Sequence, residues 1–549
     1  MQNDMWLRPL KGYMTVIQET SVFRINQTGY AEGLPVYAAV LAKDPVTLKD
    51  ADGKIVPVEE NITLKPDEAS GDEVALVNFG ELKAGNYTLE SIEGKRNLTV
   101  CEKPWRAVTN ALIKGLYYQR CGCELKPEHA GIYSHPACHT APAADWEDRS
   151  ILRRVTGGWH DAGDYGKYVG PGAVTVGHML YAWKLFPEGC SDDLNIPETG
   201  NGVPDILNEA RYELEWMLQM QRSDGAFHHK LTKARFAPFI MPQDDHEPEY
   251  LMPVSHCATA AACACLALSY RVYKSFDEAF ANRMLLSARR AWEWLMKHTT
   301  DYVPFRNPEG VFTGWYGERT DKDDRFWAAC EMFAATGETE YRAEAERLYA
   351  EGQQLTAFGW ADVGGMGALC CLFDLGEKAG EMLYDQLRED FLRQSEGALK
   401  VSQESGYGTA LAADKYVWGS ILPIMSNAMA MIMNTQLTGC QEMRDAALKQ
   451  WDYALGMNAL DICFVTGFGE KRVMHPHHRP SDADGIEEPI PGLISGGPNN
   501  LMTFPMTKEK MGNTPPAKYF VEETFSADTN EIAIYWNSPA IFVGAYFCR

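Results

Sequence analysis

The chain is short of positive charge. Its 549 residues carry 51 Lys and Arg against 75 Asp and Glu, a formal net charge of −24. A surface of that sign repels phosphate backbones and anionic lipid, so neither nucleic acid nor a membrane surface is expected as the main partner. Long apolar runs are missing too. No stretch reaches the roughly 18 residues that a membrane span needs. The first residues, MQNDMWLRPLKGYMTV, have neither an apolar h-region nor a small-residue cleavage site. As given, the chain is not addressed for secretion, although a processed or trimmed chain would read the same. Nor do most of the 14 cysteines look like a disulfide framework. Cys257, Cys263, Cys265, Cys330, Cys370 and Cys371 lie in Ala/Leu/Met-rich helical patterns, where a free thiol acts as a small hydrophobe. That usage fits a reducing compartment, and the cytoplasm is the expected location.

What is present is a well-packed globular composition, 45% hydrophobic and 11% aromatic. Such a length leads one to expect two domains. A neutral, ring-shaped ligand would tolerate the charge and suit the aromatics. Residues 1–17 read as an N-terminal extension. From residue 18 to 103, short β-rich runs (Val22–Ile25, Val36–Leu41, Val74–Phe79, Tyr87–Ser91 and Leu98–Val100) alternate with turn signals, which predicts a small all-β sandwich. After Pro104 the period changes. Leu207, Ala210, Leu214, Met217 and Leu218 fall on one helical face, and similar runs recur to the end of the chain, about twelve in all. Residues 104–549 therefore read as an all-α domain. Its helices suggest hairpins closing into a ring, with a solenoid or an irregular bundle as alternatives because no sequence repeat is present.

The stretch Thr156–Val169, TGGWHDAGDYGKYV, packs a Trp, a His, two carboxylates and four glycines into fourteen residues. Asp161 and Asp164 can face one cavity from such a loop, though an isolated pair of this spacing is more often a surface turn. Upstream lie Cys121, Cys123, Cys138 and His139, and His160 directly precedes Asp161. Two thiolates and two imidazoles would make a closed, structural zinc shell. Buried thiols and a hydrogen-bonded His are the alternative. His475-Pro-His477-His478-Arg479 lacks nearby Cys or carboxylate ligands, so its donors suit hydroxyl-rich ligands better than a metal. Glu531, set among Ile532, Ile534, Tyr535 and Trp536, is placed to have a raised pKa and to act as a general acid. An ordinary helix-start Glu would look the same. Asp321, Asp323 and Asp324 cluster hard oxygens before Arg325, as either a calcium loop or a solvated helix N-terminus. Trp315, Trp360, Tyr416 and Trp418 are candidates to stack on sugar rings, against a default of helical core.

Taken together, these motifs resemble glycoside hydrolase family 9, in the branch with an N-terminal immunoglobulin-like domain. GGWHDAGDYGKYV at 157–169, VTGFGEKRVMHPHHRPS at 465–481 and NEIAIYWNSP at 530–539 carry the likeness. Lesser matches at INQTGY (25–30), PETGNGVPDILNEARYELEWML (197–218) and YVWGS (416–420) support it. The resemblance implies an immunoglobulin-like sandwich followed by an (α/α)6 barrel, with cleavage of β-1,4-glucosidic bonds by inversion. It implies Asp164 as general base, Asp161 positioning the water, Glu531 as general acid, and His477 and Arg479 holding the sugar. It also implies zinc on Cys121, Cys138, His139 and His160, calcium at Asp321, Asp323 and Asp324, and no organic cofactor. Upstream of Glu531 the chain departs from the family pattern through Glu522–Asp528. The expected substrates are cello-oligosaccharides and soluble β-glucans. Rival readings are an exo-acting β-glucosaminidase, a zinc-dependent hydrolase and a carbohydrate-binding protein without turnover. Nothing in the sequence fixes an oligomeric state.

Overall fold

A computed structural model describes residues 21–57 and 62–549. The expected extension at 1–17 lies outside the described residues. Among the described residues nine strands come first: β1 (Phe23–Arg24), β2 (Tyr30–Ala31), β3 (Pro35–Val40), β4 (Thr47–Asp50), β5 (Ile55–Val56), β6 (Lys65–Pro66), β7 (Glu73–Glu81), β8 (Gly85–Ser91) and β9 (Gly94–Cys101). They form two sheets, ordered β1-β3-β7-β6 and β2-β9-β8-β4-β5. Between the sheets Phe23, Val36, Val40, Leu48, Val77, Leu89 and Val100 make a separate apolar core. Alternation of inward apolar and outward polar residues along β9 (Leu98 and Val100 buried; Asn97 and Thr99 exposed) is what a half-buried strand requires.

Twelve long helices follow among the described residues: α1 (Arg106–Tyr118), α2 (Val169–Leu185), α3 (Asp205–Gln219), α4 (His256–Tyr273), α5 (Glu278–Lys297), α6 (Lys322–Thr336), α7 (Thr339–Ala350), α8 (Gly364–Leu369, continued by a π-helical stretch Cys370–Leu375), α9 (Leu387–Glu404), α10 (Ile421–Thr438), α11 (Gln441–Ala454) and α12 (Ile534–Phe547). The even-numbered helices form an inner ring. α2 packs on α4, α4 on α6, α6 on α8, α10 on α12, and α12 returns to α2. The odd-numbered helices back them from outside. Sequence explains the division. α4 reads HCATAAACACLALSYRVY and α12 IYWNSPAIFVGAYF, nearly free of charge and buried on almost every side. α5, by contrast, buries Phe280, Met284, Ala288, Ala291 and Leu295 on one face and leaves its charged residues outside, as an outer helix should. The ring, not the solenoid or bundle, is the solution. The cysteines within it are unbridged. No helix of the described residues is long and apolar enough to cross a membrane.

One boundary differs from the sequence reading. The pattern at 378–396 predicts a helix there; a π-helical stretch Met382–Gln386 leads into α9 at Leu387, and before it Gly376 (φ +55°) and Gly380 (φ +86°) break the chain into short turns. Pro539 sits inside α12, and Ser538 before it bonds His178 Nδ1 at 2.9 Å.

The β-sandwich leans on the barrel through the INQTGY stretch. Asn26 Nδ2 donates to Asp452 Oδ1 (2.7 Å), the Gln27 amide N–H to Leu455 O (2.9 Å), and Lys471 N–H to Gln27 Oε1 (2.9 Å). Burial pushes the Asp452 carboxyl up to about 7, with the Asn26 amide pulling the other way. A carboxyl raised on folding binds its proton more tightly in the native state. Its contribution to stability is thus full below the unfolded value of about 4 and is lost as pH rises through about 7. Asn26→Ala leaves that carboxyl without its donor and should destabilise the protein by about 1–3 kcal/mol, more so at pH 8 than at pH 5. Thermal melts at the two pH values check this.

Candidate active site

The candidate residues come from far-apart stretches that the ring brings to one rim. Asp161 and Asp164 precede α2, Trp315 precedes α6, Trp360 precedes α8, Trp418 precedes α10 and Glu531 precedes α12. Helices that alternate inner and outer positions alternate in direction, so the inner six point the same way. Their N-terminal ends share one rim, and the loops leading into them line one cleft.

The loop 157–166 is held from both sides. Gln119, just past α1, accepts His160 N–H through its backbone carbonyl (2.8 Å) and donates through its side chain to His160 O (3.1 Å) and Ala162 O (3.0 Å). From α3, Glu213 accepts Trp159 N–H (2.7 Å) and Glu209 accepts the Trp159 indole N–H (2.8 Å). Burial pushes Glu213 up to about 8. Gly158 (φ +73°) passes so close to Trp216 that a Cβ would lie 2.7 Å from its ring. On the far side Lys167–Tyr168 joins a small sheet by pairing with Lys230–Thr232, which pairs in turn with Tyr250–Leu251.

Glu531 reaches the same place from the other end of the chain. Ala162 and Ala533 form an antiparallel bridge, and Ile534 N–H donates to Asp161 O (2.8 Å). His477 bridges Glu531 in parallel, and Arg479 donates to Gly163 O through its backbone N–H (3.0 Å) and its Nη1 (2.7 Å). Three segments thus meet at one point.

The side chains sit in distinct surroundings. Asp161 is 1% exposed. Its Oδ2 accepts the Tyr316 hydroxyl (2.6 Å) and its Oδ1 has no hydrogen-bond partner. Burial raises its pKa well above the carboxylate range, Asp164 adds to this, and the Tyr316 bond opposes it. Asp164, at 8%, is the more open of the pair and accepts Gly166 N–H (2.9 Å). The Glu531 Oε2 accepts the Trp418 indole N–H (3.2 Å). Desolvation raises its pKa well above that of an ordinary Glu, as do Asp164 and Asp161, whereas Arg479 and the Trp418 bond pull it down. His477 Nδ1–H donates to Thr524 O (2.6 Å), which fixes the Nδ1–H tautomer. Burial, then Arg479, lowers it to about 4, so the ring is neutral.

Of the aromatic candidates, Trp315 is 49% exposed, with the Arg306 guanidinium 4.7 Å from its ring centroid. Trp360 packs edge-on against Tyr316 (4.8 Å) and Trp418 against Phe504 (5.3 Å). Tyr416 is a correction: at 1% exposure it belongs to the helical core and has no free face for a sugar. Sequence reasoning missed Tyr316, whose positive φ of 44° marks a constrained turn, and Tyr535, whose hydroxyl lies 3.2 Å from that of Tyr316. Neither had a local signal. Glu209 and Glu213, spaced i, i+4 beside an apolar helix face, did.

Cys121, Cys138, His139 and His160 place their donor atoms within 4.8 Å of one another. Cys121 Sγ lies 3.7 Å from His139 Nδ1, which is 3.4 Å from His160 Nε2. Those spacings suit one small ion held by four protein donors, and His139 accepts a positive φ of 47° to reach it. Asp245 lies 3.4 Å from the other nitrogen of His139, and Lys167 donates to Cys121 Sγ (3.2 Å). The expected calcium loop is not assembled in this way. Asp321 pairs with Arg325 (2.6 Å) and Asp323 accepts Val363 N–H (2.9 Å), while Asp324 turns towards Glu318 and Cys257. The three carboxylates act on one another and on Glu318 electrostatically, and Glu318 Oε2 and Asp324 Oδ2 are buried without a hydrogen-bond partner, but the triplet does not form a group with all donor atoms within 4.8 Å as the four-donor cluster does.

A ring of helix pairs with carboxyl groups gathered at one rim, flanked by tryptophan, is the build of a glycoside hydrolase. Residues 105–544 match glycosyl hydrolase family 9, and residues 18–95 match the cellulase N-terminal ig-like domain. The chain belongs to glycosyl hydrolase family 9. It is 34% identical to a cellodextrinase of Butyrivibrio fibrisolvens, over 94% of this chain and 98% of that one. A mutant thermostable endoglucanase from Alicyclobacillus acidocaldarius superposes with a TM-score of 0.90 at 31% identity, covering 96% of this chain and all of that one. A zinc-binding triple mutant of a family 9 endoglucanase superposes at 0.87 with 28% identity, over 94% and 99% of the two chains.

Gly163 tests the junction. A Cβ there would lie 1.8 Å from His477 O, a backbone atom that cannot step aside. Gly163→Ala should push the two strands of the junction apart and cut kcat/KM by about 100-fold, the scale of a misplacement of roughly 1 Å. Circular dichroism should remain that of the folded protein.

Proposed function

We propose that this chain hydrolyses β-1,4-glucosidic bonds in cello-oligosaccharides and soluble β-glucans with inversion of configuration. Residues 18–103 serve as a structural β-domain and 104–549 as the catalytic unit. The observation that carries the reading is Glu531: a buried carboxyl brought to the Asp161/Asp164 loop by the Ala162–Ala533 bridge, its pKa raised by desolvation and by both aspartates. As general acid, Glu531 gives its proton to the leaving glycosidic oxygen. Asp164, the more open of the two aspartates, takes a proton from the attacking water on the opposite face of the sugar. Asp161, fixed by Tyr316, orients that water. The proton lost by Glu531 is replaced from solvent after the products leave, and the water's proton leaves through Asp164, so the cycle balances.

An inverting site needs about 6.5–9.5 Å between its two working carboxyl groups to admit the water. Neutral His477 and cationic Arg479 hold the sugar next to Glu531, and Trp315, Trp360 and Trp418 supply the flat apolar faces that pyranose rings stack on. The full-length likeness to a cellodextrinase supports short β-glucans as substrates.

Proton NMR of cellotetraose digestion checks the chemistry. The first product should be the α-anomer, and Asp164→Asn and Glu531→Gln should each lower the rate by about 10²–10⁴-fold. A raised acid loses function only when pH passes its own value. The alkaline limb of kcat/KM should therefore lie above the ordinary Glu range. Formation of the β-anomer would overturn the proposal.

The ion we assign to Cys121, Cys138, His139 and His160 is zinc, the borderline-soft cation that two thiolates and two imidazoles select. With four protein donors it has no open position for water, so it braces the loop and takes no part in turnover. Because His160 is bonded directly to Asp161, bracing one fixes the other. Prolonged chelation should lower the melting temperature and the activity together and slowly, with zinc restoring both. Cys138→Ala should weaken zinc binding by more than the roughly 10–100-fold lost when an outer-shell partner is removed. Prompt loss of activity at unchanged melting temperature would show a catalytic metal instead.

A further inference from the structure

Three more metal-ligating side chains, separate from Asp161, Asp164 and Glu531, meet where the N-terminal end of α4 lies beside the C-terminal end of α5. His256 is the first residue of α4, His298 caps the C-terminal end of α5, and Asp301 lies three residues further on. Their donor atoms fall within 4.8 Å of one another. Asp301 stands between the two rings, with Oδ2 2.7 Å from His298 Nδ1 and Oδ1 3.5 Å from His256 Nε2. The second contact is long, and His256 Nε2, itself buried, makes no closer hydrogen bond, so its lone pair is only weakly satisfied.

The frame around these side chains is rigid. Trp294 stacks on His298 at 4.1 Å and packs against His256 at 5.0 Å, and Tyr302 closes the other side of His256 at 5.6 Å. Arg325 donates to His298 O (2.6 Å) and Leu295 O (3.0 Å), which fixes the end of α5. Asp301 is 55% exposed, so an ion can enter and keep water in its remaining positions.

We propose that His256, His298 and Asp301 form a second metal site that binds a divalent transition-metal ion of the zinc, nickel or cobalt class. Two imidazoles and one carboxylate favour these ions over calcium or magnesium, which prefer all-oxygen shells. Unlike the four-donor cluster beside Asp161, this site has no thiolate and stays open to solvent. A bound ion joins the N-terminal end of α4 to the C-terminal end of α5, at the root of the segment that runs on to Trp315 and Tyr316.

Cobalt distinguishes the two sites, because only thiolate ligation gives an intense sulfur-to-metal charge-transfer band. The full-length protein, its four-donor cluster already filled with zinc, is titrated with Co²⁺ by calorimetry and followed by absorption. Wild type should take up one cobalt ion with ligand-field bands and no thiolate band. His298→Ala and the more conservative Asp301→Asn should each lose that ion, with circular dichroism and hydrolysis of cellotetraose unchanged. Equal uptake by wild type and both folded variants overturns the proposal. So does a wild type that binds no cobalt, or cobalt that carries the thiolate band.

Discussion

The site depends on a backbone junction. Asp161 O accepts Ile534 N–H, Gly163 O accepts Arg479 N–H, and His477 pairs with Glu531. Backbone bonds of this kind fix position more tightly than side-chain contacts do, because neither partner has rotamers to explore. They place a loop, a His–Arg stretch and the approach to α12 within one hydrogen-bond layer. The geometry of the carboxyl groups follows from that layer, and each side chain needs only a short reach from it.

Around the junction the protein sets the electrical conditions by what it withholds as much as by what it supplies. Asp161 receives one hydroxyl and no cation, and Glu531 receives one indole N–H, with Arg479 close enough to temper but not to abolish its preference for the proton. In a partly desolvated cleft the repulsion between carboxylates is strong, so the proton settles on one of them. Two buried arginines of the frame are matched instead: Arg120 lies between Glu198 and Glu209, and Arg271 between Glu331 and Asp374.

Much of this was legible in the sequence, for identifiable reasons. All twelve helical runs and the five longer strand signals correspond to elements, because apolar periodicity records which face is buried. Ring closure was not legible from period alone, since an inner helix such as α12 is apolar all round and gives no direction. The motifs around Asp161, Asp164 and Glu531 could be read because several unusual residues stand side by side. Tyr316 could not: its partner Asp161 is remote in sequence, and a single Tyr in a loop has no pattern. Tyr416 failed in the opposite sense, since an aromatic next to a functional Trp reads the same whether it faces the cleft or the core.

The position of α12 has a consequence for how the protein comes into being. This helix is the last of the inner ring, wedged between α2 and α10 and backed by α1, and Glu531 lies three residues before it. On the ribosome, every earlier helix hairpin can form as it emerges, but the ring stays open on one side until the final inner helix arrives. The nascent chain therefore carries Asp161 and Asp164 long before Glu531, with the seats on α2 and α10 exposed as apolar surface throughout. That unfilled gap is the stage at which the growing chain most needs shielding from its neighbours.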